Sequence, residues 1–303
     1  MTIHCITPNP AIDVTYTVDT VVLQKVNRVR EVAHRPGGKG VNVARLADAH
    51  GSAPVATYGF LGGTEGVLFK ELLDQLAPGI DQRWTEAEAQ TRRTIAVVDS
   101  ADTTMLNESG APVPQSLWEQ LIANLTAHLA SKDWVTISGS LPPQTDPTIF
   151  ADIVAAIHDA GARVLIDTSG PALLAAARAG ADILKPNRDE LLEATGAADV
   201  HAGMAALQQL GVPVIITSMG EDGALLSGPD GEVTARLDSI LEGNPTGAGD
   251  ALVAGVVSAL AAGEELSTAL RDGIAWSASA VLAPVAGEID AADVARLREH
   301  ITA

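Results

Sequence analysis

The sequence predicts an α/β fold: a mostly parallel central sheet with helices on both faces, together with a small accessory β-sheet. Two observations carry this. Short apolar runs rich in β-branched residues alternate with segments of helical period, which is the pattern of repeated strand–helix units. Two other segments alternate apolar and polar residues one by one, which marks strands covered on one face only.

The first central strand is predicted at Ile3–Thr7. Val14, Tyr16 and Val18 then alternate with Thr15, Thr17 and Asp19, giving the first accessory strand. A glycine-rich stretch leads into a helix whose apolar face includes Val43, Leu46 and Ala47, and Val55–Phe60 is the next central strand. Thr94, Ala96 and Val98 alternate with Ile95, Val97 and Asp99, ahead of an extended stretch at Thr103–Leu106. Leu117, Leu121, Ile122, Leu125 and Leu129 recur at three- and four-residue spacing, one apolar helix face, and Ile153, Ala156 and Ile157 repeat the pattern. Further central strands are predicted at Trp134–Ser138, Val164–Asp167, Ile183–Lys185 and Val214–Thr217. The last third is predicted mainly helical, at Ala248–Ala262, Glu265–Leu282 and Ala291–Ile301. The expected organisation is one domain over residues 1–303, with the accessory sheet inserted from about residues 12–34 and 90–109.

Composition narrows the function. Hydrophobic residues are 47% of the chain and aromatic ones 3%, so the core is built mainly from Ala, Val, Leu and Ile. Lys and Arg number 19 and Asp and Glu 38, a net charge of −19. That balance argues against nucleic acid or an anionic membrane as partner. A few Arg, Lys and backbone N–H groups still suffice for an anionic small substrate. The single cysteine, Cys5, excludes an internal disulfide and fits a reducing, cytoplasmic setting. No basic segment followed by a long apolar run opens the chain, so no signal peptide is expected. The run Ala251–Ala262 is too short to span a bilayer. The histidines, His4, His34 and His50 among them, show no metal-ligand spacing.

Two glycine-rich helix starts carry the chemistry. In Gly243-Asn244-Pro245-Thr246-Gly247-Ala248-Gly249-Asp250, small residues let a ligand approach the backbone, and free N–H groups at the helix start favour an anion. Asp250 on the same turn is placed to take a proton from a hydroxyl nucleophile. Phosphoryl transfer needs little more than positioning and charge stabilisation. The plainer reading is a glycine loop with Asp as helix cap. In Pro36-Gly37-Gly38-Lys39-Gly40-Val41-Asn42-Val43-Ala44-Arg45, Lys39 can reach a ligand's charge and Asn42 its hydroxyls. It is not a Walker A loop, because Ser or Thr does not follow the Gly-Lys at the required spacing.

These loops resemble the C-terminal and N-terminal signatures of the ribokinase-like (PfkB) carbohydrate kinases. Thr7-Pro8-Asn9-Pro10-Ala11-Ile12-Asp13, Ile137-Ser138-Gly139-Ser140-Leu141-Pro142-Pro143 and Lys185-Pro186-Asn187-Arg188-Asp189-Glu190-Leu191 extend the resemblance over nearly the whole chain. It implies a ribokinase-like three-layer sandwich with a small β-sheet lid, and a kinase using ATP and Mg²⁺. Within the family the chain looks like the phosphosugar branch of 1-phosphofructokinase, tagatose-6-phosphate kinase and the minor 6-phosphofructokinase. Lys39 favours the first two of these, and the segments Lys25–Arg28 and Met105–Gly110 look more like the first. A sugar or nucleotide sensor that keeps the fold without catalysis is the alternative of another class, against which the intact Asp250 loop counts.

The resemblance assigns roles residue by residue. Asp250 is the base, and Gly247, Ala248 and Gly249, with Thr246, form the anion hole for the transferring phosphoryl. Asp13 grips sugar hydroxyls beside Gly38, Lys39 and Asn42. Arg92 clamps the phosphate the acceptor already bears, with Arg93 as the alternative because one residue of slip exchanges strand faces. Asn107 and Ser138 touch the sugar phosphate. Asn187 and Glu190 act on Mg²⁺ through water, the alternative being a helix capping box. Lys185 reaches nucleotide phosphate, and Ser218, Gly220, Glu221 and Gly223 form the adenosine-side loop. Asn244-Pro245-Thr246 departs from the common family residues near a monovalent-cation site, which leaves K⁺ dependence open. Relatives pair through the lid, so a homodimer is expected, with Val14, Tyr16, Val18 and Val21–Leu23 on its outer face.

Overall fold

The computed structural model describes every residue except Ala101, Pro284, Ala286 and Ala303. Ala101 belongs to the predicted segment 90–109, and that part of the expectation lies outside the described residues. The strands are β1 (Ile3–Thr7), β2 (Ala11–Thr17), β3 (Glu31–Gly37), β4 (Val55–Gly62), β5 (Asp81–Gln82), β6 (Thr85–Ala87), β7 (Arg92–Val98) and β8 (Thr103–Asn107). They continue with β9 (Trp134–Ser138), β10 (Arg163–Asp167), β11 (Ile183–Leu184), β12 (Val214–Ser218), β13 (Ala224–Gly228), β14 (Gly231–Leu237) and β15 (Ile301–Thr302). The helices are α1 (Lys39–His50), α2 (Gly63–Leu76), α3 (Gln115–Thr126), α4 (Ile149–Asp159), α5 (Pro171–Arg178), α6 (Arg188–Thr195), α7 (Val200–Gln209), α8 (Ala248–Ala261), α9 (Leu266–Leu282) and α10 (Ala291–Glu299).

The large sheet runs β15-β14-β13-β12-β11-β10-β9-β1-β4-β5, with β6 also on β4. From β12 to β5 every pairing is parallel. Its strands are buried on both faces because successive side chains point to opposite sides. Leu165 packs with α1, α2, α8 and α9, while its neighbours Val164 and Ile166 pack with α3, α4, α5 and α7. Ile215 and its neighbours Val214 and Ile216 divide in the opposite sense. This is the predicted three-layer sandwich. β2 takes a different path. It pairs antiparallel with β3 and parallel with β7, which pairs with β8, giving a separate sheet β3-β2-β7-β8.

Some elements were not foreseen and some expectations are corrected. Between β12 and α8, where the sequence reading placed no element, β13 and β14 form an antiparallel hairpin, and β15, whose Ile301 was expected to end the last helix, adds to its edge. Val233, Ala235 and Leu237 alternate with Glu232, Thr234 and Arg236 after Gly228-Pro229-Asp230-Gly231, so the strand signal and its turn are both present in the sequence. β3 was not anticipated as a strand, because its residues from Glu31 to His34 are exposed and lack an apolar stripe. Val14 and Val18 are buried and do not lie on an outer face, since Val14 joins the core under α1 and α2.

Candidate active site

The carboxyl ends of the parallel strands and the starts of α1 and α8 surround a cavity of about 840 Å³. Crevices at this end of open α/β sheets are where ligands bind. Asp13, Lys39, Asn42, Lys185, Asn187, Glu190, Ser218, Gly220, Glu221, Gly223 and Thr246 through Asp250 all line it. Residues distant in sequence and assigned separately therefore share one wall-to-wall site.

Asp250 owes its setting to α8. That helix is built from Ala, Val, Leu and Gly and is buried along its length from Asp250 to Ala261. Its first turn therefore opens from the core into the cavity floor. Gly247 adopts φ 84°, a left-handed conformation that glycine takes without steric cost, and no side chain caps the helix. The first N–H groups are thus left for a ligand. Asp250 is not the cap of the plainer reading. Its Oδ2 accepts a hydrogen bond from Asn42 Nδ2 at 2.8 Å. Burial pushes its pKa up to about 7; the Asn42 bond opposes this, Asp167 adds to it, and Lys39 and Lys185 oppose it. A carboxyl poised there suits a general base.

A charge cluster flanks this base. Asp167, at the end of β10, has a side chain 1% exposed and lies 3.3 Å from Lys185 Nζ and 3.6 Å from Lys39 Nζ. Lys39 is also 4.0 Å from Glu190. Burial draws the Lys39 pKa down, but Asp167, Glu190 and Asp250 together outweigh it and hold the ammonium above the ordinary lysine value. Lys185 Nζ approaches the backbone of Gly249, 3.8 Å from where a Cβ would stand. Lys185 therefore stands beside the first turn of α8, with Lys39 linked to it through Asp167.

Asn187 and Glu190 do form a capping box. Asn187 Oδ1 accepts from Glu190 N–H at 2.8 Å, and Glu190 Oε2 accepts from Asn187 N–H at 2.9 Å. The plainer reading is thus realised, while both residues still line the cavity. Ser218 meets Asn187 in an isolated parallel bridge, and Gly220–Asp222 form a 3₁₀ turn beyond it.

On the sugar side, Asp13 accepts a hydrogen bond from the Thr94 hydroxyl, and burial raises its pKa against the pull of Thr94, Arg92 and Arg45. Gly37 packs directly on this carboxylate, and a Cβ there would overlap it. Gly37→Ala is expected to raise the acceptor KM at least tenfold with the ATP KM little changed, measured by steady-state kinetics. Gly38 is the N-cap of α1, adjoining Lys39.

Four predicted residues stand outside the cavity lining: Gly38, described above, and Arg92, Asn107 and Ser138. The Arg92 guanidinium donates to the carbonyls of Asn9, at 3.0 and 3.1 Å, and Glu108, at 2.9 Å. It lines a second cavity of about 540 Å³ beside Pro8–Pro10. Its alternative, Arg93, pairs with Glu65. Asn107 is exposed at the end of β8, opposite Thr94. Ser138 is fully buried, opposite Asp167, with no partner for its hydroxyl among the described residues. Sequence reasoning missed Asp167, Arg35 and Arg45 as cavity residues. The signal for Asp167 was its place at the carboxyl end of a predicted buried strand.

The sandwich, a base at a helix-start anion hole and a lysine pair at one end of the cavity define a kinase of the ribokinase-like class. The pfkB family carbohydrate kinase profile matches residues 7–291. The 1-phosphofructokinase of Haemophilus influenzae is 32% identical over 285 residues, covering 91% of this chain and 90% of that protein. The 1-phosphofructokinase of Rhodobacter capsulatus is 36% identical over 281 residues, covering 90% and 88%. The crystal structure of Escherichia coli phosphofructokinase-2 in complex with potassium superposes with TM-score 0.90 at 25% identity, covering 98% of each chain. The chain belongs to the pfkB family of carbohydrate kinases. It is an enzyme that transfers phosphate from ATP to a sugar hydroxyl.

Proposed function

We propose that the protein is a 1-phosphofructokinase, converting fructose 1-phosphate and ATP to fructose 1,6-bisphosphate and ADP. The observation that carries the chemistry is Asp250: buried, held by Asn42 and set beside an uncapped helix start. Its carboxylate takes the proton of the acceptor hydroxyl as that oxygen attacks the γ-phosphorus and the bond to ADP breaks. The N–H groups of Gly249 and its neighbours, with Lys185 and Lys39, meet the charge on the transferring group. The relatives' names favour fructose 1-phosphate as acceptor. ADP release with Mg·ATP and a panel of fructose 1-phosphate, tagatose 6-phosphate, fructose 6-phosphate and free sugars tests this. The expected result is the highest kcat/KM for fructose 1-phosphate; a higher value for another acceptor moves the assignment to it, and no turnover at all leaves a sensor.

Asn187 and Glu190 would hold Mg²⁺ through its water shell. Two of their side-chain oxygens are engaged in the capping box, and no cluster of three or more His, Cys, Asp or Glu able to hold a metal occurs among the described residues. Such a donor set fits an ion that keeps most of its waters and arrives with ATP. When bound, the ion neutralises phosphate charge. For K⁺, the segment Asn244–Thr246 brings only neutral donors, and Asn244 Oδ1 already accepts from Thr246 N–H at 3.0 Å.

The chain is read as a single kinase domain whose small sheet is a lid, excluding water from the acceptor. We propose that the lid also pairs two copies. Leu23 is 83% exposed and Val26 86%, and the edge strands β3 and β8 expose Val32, Met105 and Leu106, apolar side chains that a second copy would cover. Sedimentation equilibrium is expected to give twice the 31.1 kDa chain mass, and charged residues at Leu23 and Val26 to give the single mass. No helix among the described residues is long and apolar enough to cross a membrane, and a cytoplasmic location follows from the proposed chemistry.

A further inference from the structure

Helix α1 turns three polar side chains toward the cavity at three-residue spacing. Lys39 stands 3.6 Å from Asp167, and the Asn42 amide holds Asp250 at 2.8 Å. Arg45, one turn further on, lines the cavity with Asp13 and Arg35; burial and the Arg35 charge weigh against its own, which Glu288 and Asp13 offset in part. The first is an ion pair and the second a hydrogen bond. Arg45 makes neither: Asp13 takes its hydrogen bond from Thr94, and the Arg45 Nε–H is buried with no partner among the described residues. The Nε–H has no open surface of its own, so a ligand in the cavity is met by the remaining guanidinium N–H groups, which make no hydrogen bond among the described residues.

The strands above confine what that ligand touches. Arg35, Asp13 and Thr94 stand opposite one another across β3, β2 and β7, and Asn107 continues the row on β8. Directly paired residues share a sheet face, so the small sheet carries one polar row, of which Arg35 and Asp13 line the cavity. Within that row Arg35 is already paired, its Nη1 at 2.9 Å from Glu288 Oε1. Arg45 is therefore the cavity-lining guanidinium at this end that makes no ion pair or hydrogen bond among the described residues.

We propose that Arg45 is a specificity-determining residue for the acceptor, donating to an oxygen of the sugar phosphate while Asp13 accepts from a neighbouring hydroxyl. The two groups complement each other, since a guanidinium only donates and a carboxylate only accepts. The inference rests on the phosphosugar-kinase reading above. It also assigns the acceptor a contact on the body of the enzyme, so that discrimination does not depend on the lid alone.

Steady-state kinetics of Arg45→Met and Arg45→Lys, with whichever phosphosugar the wild type turns over fastest, test it. The expected result is an acceptor KM raised at least tenfold in Arg45→Met, kcat changed less than threefold and ATP KM within twofold. Arg45→Lys is expected to recover part of the loss, and it carries the test with a threefold or larger KM rise if the methionine variant fails to fold. Competition by inorganic phosphate identifies the oxygen: inhibition lost in the variant assigns it to the phosphate group, inhibition kept assigns it to a hydroxyl. An unchanged acceptor KM, or an equal rise in both KM values, overturns the proposal. A wild type that turns over no phosphosugar defeats the functional reading instead, a result distinct from either.

Discussion

Asp250→Asn is expected to lower kcat by about 10²- to 10⁴-fold, the range that a general base contributes, while ATP still binds and the protein becomes more stable at pH 8. The catalytic half follows from geometry. An amide keeps the Asn42 contact and the shape of the first turn of α8 but cannot take the acceptor's proton. In the wild type, kcat/KM should rise with pH through about 7, because the base must be ionised to act. The stability half follows from the same burial. A folded pKa of about 7 against an ordinary 3.8 means that the folded chain holds the extra proton between those values. Stability from this group is therefore lost as pH rises from about 4 to about 7, and above that the full cost of a buried carboxylate remains. About three pH units at about 1.4 kcal/mol each set this at up to about 4 kcal/mol. The amide variant, uncharged at every pH, carries no such cost. Melting curves of the two proteins should coincide near pH 4, separate toward pH 7 and run parallel above it. A variant no more stable than wild type at pH 8 would show that the buried carboxylate carries no such cost, and one with near-normal turnover that Asp250 is not the base.

Much of this site was legible in the sequence because its parts lie in short contiguous motifs. Gly247–Asp250, Gly38–Asn42 and Asn187–Glu190 each combine a helix start with the side chains it presents, so local spacing already implied shared position. The parallel sheet was legible for a related reason: strands buried on both faces read as apolar runs, and their order only had to alternate with helices. What escaped was whatever depends on long-range register. Arg35 and Arg45 had no assigned role until β2 and β3 bring Arg35 opposite Asp13 and α1 places Arg45 in the same cavity wall. Arg92 stands in the predicted strand, but its direction was set by the carbonyls of Asn9 and Glu108 that fold against it. The inward placement of Val14 was hidden in the same way, since alternation shows that one face is covered and not which neighbour covers it. Asn187 and Glu190 mark a different limit. One pair of side chains can both cap a helix and face a ligand, so the sequence could not separate the two readings, and the structure contains both features.

Asp167→Ala is expected to cost about 3–5 kcal/mol, the loss seen when one partner of a buried ion pair is removed, lowering the melting temperature by on the order of 10 °C. Asp167 is the carboxylate between Lys39 and Lys185, and the Lys185 side chain is only 4% exposed. Without Asp167 that ammonium keeps its desolvation cost and loses its counter-charge. Neither Asp167 oxygen accepts a hydrogen bond among the described residues, so its contribution is chiefly the charge. Two consequences separate this from a simple cavity effect. First, Asp167→Ala combined with Lys185→Met should recover most of the stability, because a buried pair replaced by apolar groups is often near neutral. Second, ATP should raise the melting temperature more in Asp167→Ala than in the wild type, since its phosphates supply the negative charge that the two lysines have lost. Turnover should stay low in the double variant, which lacks the lysine facing Gly249. If the double variant melts as low as Asp167→Ala alone, the destabilisation comes from lost packing and not from an unpaired Lys185.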